Sequence, residues 1–260
     1  PATRTEVCAR WEAAVRAEAE LAGGSGVRGG MGFKPWGYGV WERIQKLMDD
    51  RIKEAGVENC YFPLFIPLSY FTREAEHVEG FAKEMAVVTH HRLIGDGKGG
   101  LVPDPEAKLE EPLVVRPTSE TIFGDAMARW IRSWRDLPLK LNHWANVVRC
   151  EMRTLLSSRA GEFLWQEGHT AHETREEAIA ETKLIHTLYE DFLRDHLAIP
   201  VIAGEKTETQ RLPGAEMTYL IERLLLDDMQ TPDVTPPYTA THIATAHATS
   251  FPHTLRPPPH

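Results

Sequence analysis

Cysteine is scarce in this chain and scattered. Cys8, Cys60 and Cys150 are the three among 260 residues, and no two form a CxxC pair. That excludes zinc-finger spacing and a disulfide framework, and makes a reducing cytosol the expected setting. Long apolar runs are also lacking, and no stretch is long enough to cross a bilayer as a helix. The opening "PATRTEVCARWEAAVRAEAELA" reads as a charged helical pattern without the apolar centre of a secretory signal. Positive charge is in deficit: 29 Lys and Arg face 38 Asp and Glu, a formal charge of -9. A protein that coats DNA non-specifically needs a broad basic surface, so that class is excluded, whereas a local phosphate site is not. What is present is ordinary for a globular protein, with 42% hydrophobic and 26% charged residues. The length allows one large or two small domains with a sizeable core.

Along the chain, Trp11 to Ala22 reads as a first helix, ended by the glycine breaker "GGSG". A long helix is expected from Pro35, where Val40, Ile44, Leu47, Met48 and Ile52 recur at helical spacing until Gly56. "NCYFPLFIP" (59–67) is a compact β-type run whose Pro63 and Pro67 suit a sheet edge or an interface. Residues 92–112 form an exposed hairpin or insertion. Its "GDGKGG" fails as a phosphate loop, because Gly99 stands where Ser or Thr must follow the lysine. "PLVVRPTSETIFGDAMARWIRSW" is a strand running into a helix, with Phe123, Met127, Trp130, Ile131 and Trp134 on its apolar face. Thr174 and Glu177 have capping-box spacing for a helix reaching about His196. "PVIAG" is a short strand, and a last helix is expected over roughly 214–228. The whole is mixed α+β, with strands joined by hairpins rather than by βαβ alternation.

The richest chemistry lies in "VVRCEMRTLLSSRAGEFLWQEGHTAH" (147–172). Arg149 follows two valines, so it sits on an apolar strand, where a guanidinium is expensive unless it meets a carboxylate or phosphate. Glu151 shares its face by alternation, and taken by itself the pair is better explained as a structural Arg–Glu salt bridge. Arg159 lies across the turn. On the return strand Phe163, Trp165, Glu167 and His169 share a face, giving aromatic walls and a carboxylate suited to a small organic cation. Thr118 and Glu120 stand at the strand-to-helix junction of "RPTSE".

These stretches, with "PWGYGVWERIQ", "WIRSWRDLPLKLNHWANVVRCEMRT" and "IPVIAGEKTE", resemble the catalytic domain of prolyl-tRNA synthetase, in its archaeal and eukaryote-like branch. The resemblance runs over about residues 11–225, and "RPTSET" followed by "EFLWQEGHTAH" carries most of it. It implies a class II aminoacyl-tRNA synthetase fold, an antiparallel sheet flanked by helices and incomplete at the C-terminus. It further implies a homodimer through motif 1, here the 35–55 helix and the strand containing Pro63. The implied activity is ATP-dependent formation of prolyl-adenylate from L-proline, with Mg²⁺, and transfer to tRNA(Pro) in the cytoplasm. In that reading Arg149 is catalytic and clamps the ATP α-phosphate and the proline carboxylate. Glu151 and Arg159 serve ATP, Thr118 and Glu120 take the ring amine, and Phe163, Trp165 and His169 wall the ring.

The sequence also departs from the family. Leu155 stands for an arginine in the motif 2 loop, and Leu212 for an aromatic. Beyond about Asp228 the family's third motif is not recognisable. The expected domain therefore covers 1–228, followed by a Pro/Thr/His-rich tail (229–260) without a core. On this reading the chain is a truncated form, inactive alone. The alternative is a non-catalytic paralogue acting as a dimerising or ligand-binding module.

Overall fold

The structure is a computed structural model that describes residues 14, 18–25, 30–73, 85–150, 161–211, 214–223 and 241–248, with Arg223 and 241–248 described through their backbone. The chain divides into two compact units, Pro1–Ala171 and His172–His260.

In the first unit, β1 (Ala22–Gly24) pairs with β2 (Met31–Phe33). Ala22 and the glycines after it thus lie in a strand rather than at a helix end; half of the expected Trp11–Ala22 helix lies outside the described residues, and Ala14 and Glu18 are helical. Helix α1 spans Pro35–Glu54, with proline in its first turn and Arg51 and Lys53 in its last, where positive side chains suit the helix dipole. Met48 and Ile52 are buried, whereas Trp36, Val40 and Leu47 are exposed on another stripe, Trp36 by 72%.

β3 (Glu58–Asn59) runs parallel to β9 (Leu139–Val148), which pairs along its length with antiparallel β10 (Glu162–Ala171). A second sheet has the order β4–β8–β5: Phe65–Pro67, Lys108–Val115 and Val87–His90. Pro67 lies in edge strand β4, where a missing N–H does not break a ladder; Pro63 falls between β3 and β4, outside either strand. Helix α2 (Leu68–Arg73) follows β4. The hairpin β6 (Leu93–Gly95) and β7 (Leu101–Pro103) is closed by Asp96, whose Oδ1 accepts the amides of Lys98 and Gly100 at 2.8 Å.

β8 leads through "RPTS" into α3 (Glu120–Trp130). Phe123, Ala126 and Met127 pack with Phe62 and Leu141 as the core above β9. The expected apolar face does not reach Trp134. Ile131 is extended, the helix ends at Trp130, and Trp130 and Trp134 are exposed, Trp134 by 62%.

On the opposite face of β9, Asp49 of α1 accepts hydrogen bonds from Trp144 Nε1 (2.8 Å) and Asn59 Nδ2 (2.7 Å), and pairs with Lys53 Nζ at 2.6 Å. Burial opposes the charge, but these donors outweigh it and hold the Asp49 carboxyl below its ordinary value. Asp49→Ala is expected to lower stability by about 1–3 kcal/mol, since it strands the indole and amide donors; a thermal melt unchanged from the parent would contradict this.

In the second unit, Thr174 Oγ1 accepts the Glu177 amide at the start of α4 (Arg175–Asp195). β11 (Ile202–Glu205), β12 (Met217–Arg223) and β13 (Thr241–Ala248) form an antiparallel sheet. Two expectations fail here. The 214–228 helix is instead the central strand β12 over Met217–Arg223, and part of the tail expected to lack a core supplies β13. β-prone Thr218, Tyr219 and Ile221 sit between two partner strands, and that pairing overrides the helical spacing.

Candidate active site

The register of β9 and β10 assembles the site. Alternation sends Leu141, His143, Ala145 and Val147 to the face shared with His169, Glu167, Trp165 and Phe163, which stand directly opposite them. Val147 and Val148 end β9, and the Arg149 amide still bonds Gly161 O at 2.7 Å, so Arg149 sits at the mouth of the hairpin. Its Nε donates to Pro117 O at 3.0 Å. Its guanidinium carbon lies 5.6 Å from the Phe163 ring centre and 5.2 Å from that of Trp165. Two aromatic faces and one carbonyl thus orient the fork.

Glu167 is the hub of this sheet face. One carboxylate oxygen accepts from His143 Nδ1 at 3.1 Å; the other meets the Ser119 amide at 3.1 Å, Thr118 Oγ1 at 3.4 Å and His169 Nε2 at 3.4 Å. His143 is fully buried, and its Nε2 faces the Phe62 amide at 3.4 Å. A backbone N–H can only donate, so Nε2 accepts and the ring proton sits on Nδ1, toward Glu167. Burial would raise the Glu167 pKa, but the bonds from His143 and His169 and the His169 charge prevail, and the group is held well below the usual carboxylate range. Burial, with the Glu167 charge beside it, pushes the Cys60 thiol up to about 11. Cys60 therefore stays protonated and serves as packing.

Of the residues expected in the site, Thr118, Arg149, Phe163, Trp165 and His169 converge here, and the Phe123 ring lies tilted against His169 with ring centres 4.2 Å apart. Glu120 is exposed in the first turn of α3, and its amide meets Thr118 Oγ1 at 3.3 Å. Glu151 and Arg159 lie outside the described residues. The sequence places Glu167 on this face as a carboxylate for an organic cation, whereas here both its oxygens accept hydrogen bonds from the protein; His143 was missed. The available signal was a histidine in the alternating series Leu141, His143, Ala145, Val147, where an imidazole has to find a partner.

No family model matches the chain. Among curated relatives, it is 67% identical over 243 residues to the proline–tRNA ligase of Novosphingobium aromaticivorans, covering 94% of this chain and 47% of that protein. It is 65% identical over 248 residues to the Erythrobacter litoralis enzyme of the same name, covering 95% of this chain and 48% of that one. Among solved structures, prolyl-tRNA synthetase of Cryptosporidium parvum complexed with halofuginone and AMPPNP superposes with a TM-score of 0.78 at 36% identity, over 95% of this chain and 45% of that one. The same enzyme complexed with L-proline and AMP gives 0.73 over 92% and 43%.

The fold is thus the α+β fold of class II aminoacyl-tRNA synthetases. Within that class the chain resembles the prolyl-tRNA synthetases, and its close relatives are proline–tRNA ligases. The chain spans about half the length of the curated relatives it matches.

Proposed function

We propose that this chain carries the proline- and ATP-binding site of a proline–tRNA ligase, which joins L-proline to ATP as prolyl-adenylate and passes the prolyl group to tRNA(Pro). The observation that carries the reading is the convergence on one sheet face of an oriented arginine fork, an aromatic wall and an ionised, buried carboxylate hub. The proline carboxylate and the ATP α-phosphate are both anions, and their approach concentrates negative charge. Arg149 supplies a preorganised cation at that point, and Glu151 and Arg159 are assigned to ATP by the resemblance. Thr118 and Glu120 receive the ring ammonium, with Phe163, Trp165 and His169 around the ring. Water is kept from the ring by these same side chains.

Mg²⁺ is expected to accompany ATP. Among the described residues no three of His, Cys, Asp and Glu come together as metal ligands. Both oxygens of Glu167 already accept hydrogen bonds. An ion that accompanies ATP is held mainly by the phosphates with one or two carboxylates, and no step is assigned through it.

Glu120→Gln is expected to weaken proline binding by about 1.5–3 kcal/mol, the scale of a charge-assisted contact. Calorimetry showing the parent affinity would remove Glu120 from the site. Proline-dependent exchange of labelled pyrophosphate into ATP is expected to stay near background for this chain alone, which spans about half the length of its relatives; robust exchange that is lost in Arg149→Ala would overturn that expectation.

We also place a homodimer contact on α1 and the Tyr61–Pro67 segment. The stripe of Trp36, Val40 and Leu47 is exposed, as are Tyr61 and Phe65, and apolar surface of this kind marks interfaces. A dimer is expected at micromolar concentration in sedimentation; a monomer with native secondary structure would count against it.

A further inference from the structure

Arg116, the first residue of "RPTSE", has no part in the roles assigned so far. It is 1% exposed, the largest side chain among those fully buried. Its Nε donates to Asn146 O, its Nη1 to Phe62 O and its Nη2 to Asn146 Oδ1, each at 2.8 Å. The Tyr61 ring centre lies 5.6 Å from the guanidinium carbon. Among the described residues no carboxylate joins these partners, so there the guanidinium is buried on neutral acceptors. Such burial is costly, and an apolar residue of similar volume would often be as stable there. A role in stability by itself therefore accounts poorly for an arginine at this position.

The backbone shows what the fork acts upon. The Arg116 amide bonds Leu64 O at 3.0 Å, and its carbonyl accepts from Val148 N at 3.1 Å. The next carbonyl, Pro117 O, receives Arg149 Nε; two residues later Ser119 N is held by Glu167. The turn that presents Thr118 and Glu120 is therefore pinned at its end by Glu167, in its middle by Arg149 and at its root by Arg116. The Arg116 fork locks that root to β9 and to the Tyr61–Phe62 segment together. His143 grips the same segment from the other side through the Phe62 amide.

We propose that Arg116 is a positioning residue for the amino-acid site, its fork fixing the Pro117–Glu120 turn so that Thr118, Glu120 and Arg149 meet the ligand in one geometry. The inference rests on reading that turn as part of the proline site. A lysine keeps the charge but cannot reach three acceptors on two elements with one ammonium.

The test compares the parent chain with Arg116→Lys and Arg116→Ala by hydrogen exchange of the peptide covering residues 117–122 and by calorimetric proline binding. Both variants are expected to lose protection in that peptide while α1 and β9 keep theirs, and to bind proline about tenfold more weakly, as displaced binding groups do. Adding guanidinium ion below denaturing concentrations to Arg116→Ala is expected to restore protection and part of the affinity; urea is not. Parent-like protection in both variants overturns the proposal, and so does loss of protection throughout the chain without rescue. If the parent chain binds no proline, the ligase reading fails, while the exchange data still decide whether Arg116 sets the turn.

Discussion

Arg149→Ala is expected to weaken binding of ATP by about a hundredfold, close to 3 kcal/mol, the scale of two charge-assisted hydrogen bonds lost together. The size of the effect follows from how the side chain is held. Pro117 O fixes Nε, and the Phe163 and Trp165 rings flank the guanidinium. Little side-chain freedom remains to be lost when an anion arrives, so most of the hydrogen-bond energy appears as affinity. Arg149→Lys should recover only a minor part, because a point charge cannot pair with a phosphate through two parallel bonds. Calorimetry with a non-hydrolysable ATP analogue measures both. An alanine variant that binds like the parent would move the anion site elsewhere.

The second large effect is expected at Glu167. Glu167→Gln leaves one acceptor oxygen and turns an amide group toward His143, Ser119, Thr118 or His169, all of which donate to the native carboxylate. Hydrogen bonds to an ionised group contribute about 1.5–3 kcal/mol each, so a loss of about 3 kcal/mol is expected when several buried donors lose their carboxylate. The pH dependence has a definite sign. The folded carboxyl titrates well below its ordinary value of 4.5, so between the two values the unfolded chain binds more protons than the folded one. The stability that Glu167 contributes is therefore complete at neutral pH, starts to fall as pH drops through 4.5, and is gone below the depressed folded value. Denaturant midpoints taken from neutral pH downward should fall more steeply for the parent than for Glu167→Gln. Parallel curves for the two proteins would show that Glu167 is not held in the ionised form.

Much of the site was legible because strand alternation is a strict rule. Once "EFLWQEGH" is read as a strand, Phe163, Trp165, Glu167 and His169 must share a face, and β10 places them so. Arg149 stood out because an arginine after two valines needs a reason to be there. His143 and Arg116 did not stand out, since their roles depend on Glu167 and on Phe62 O, groups distant in sequence. In the fold, α1 and α4 were readable from apolar spacing and an end signal. The Met217–Arg223 run was not, because Met217, Leu220 and Glu222 permit a helix there and only pairing with β11 and β13 makes it a strand. Trp130 and Trp134 were misplaced for a related reason: the helical period was extended past the point where Ile131 leaves the helix.

The most direct test of the central claim is calorimetric titration of a non-hydrolysable prolyl-adenylate analogue into this chain. One ligand then presents the ring ammonium to Thr118 and Glu120 and the anionic linkage to Arg149. Saturable binding is predicted, abolished or strongly weakened in Arg149→Ala. The alanyl counterpart should be weaker by about tenfold to a hundredfold, since a small apolar pocket discriminates near-isosteres only modestly. No binding, binding that ignores the loss of Arg149, or equal affinity for the alanyl analogue would contradict a proline-activating site on this sheet face.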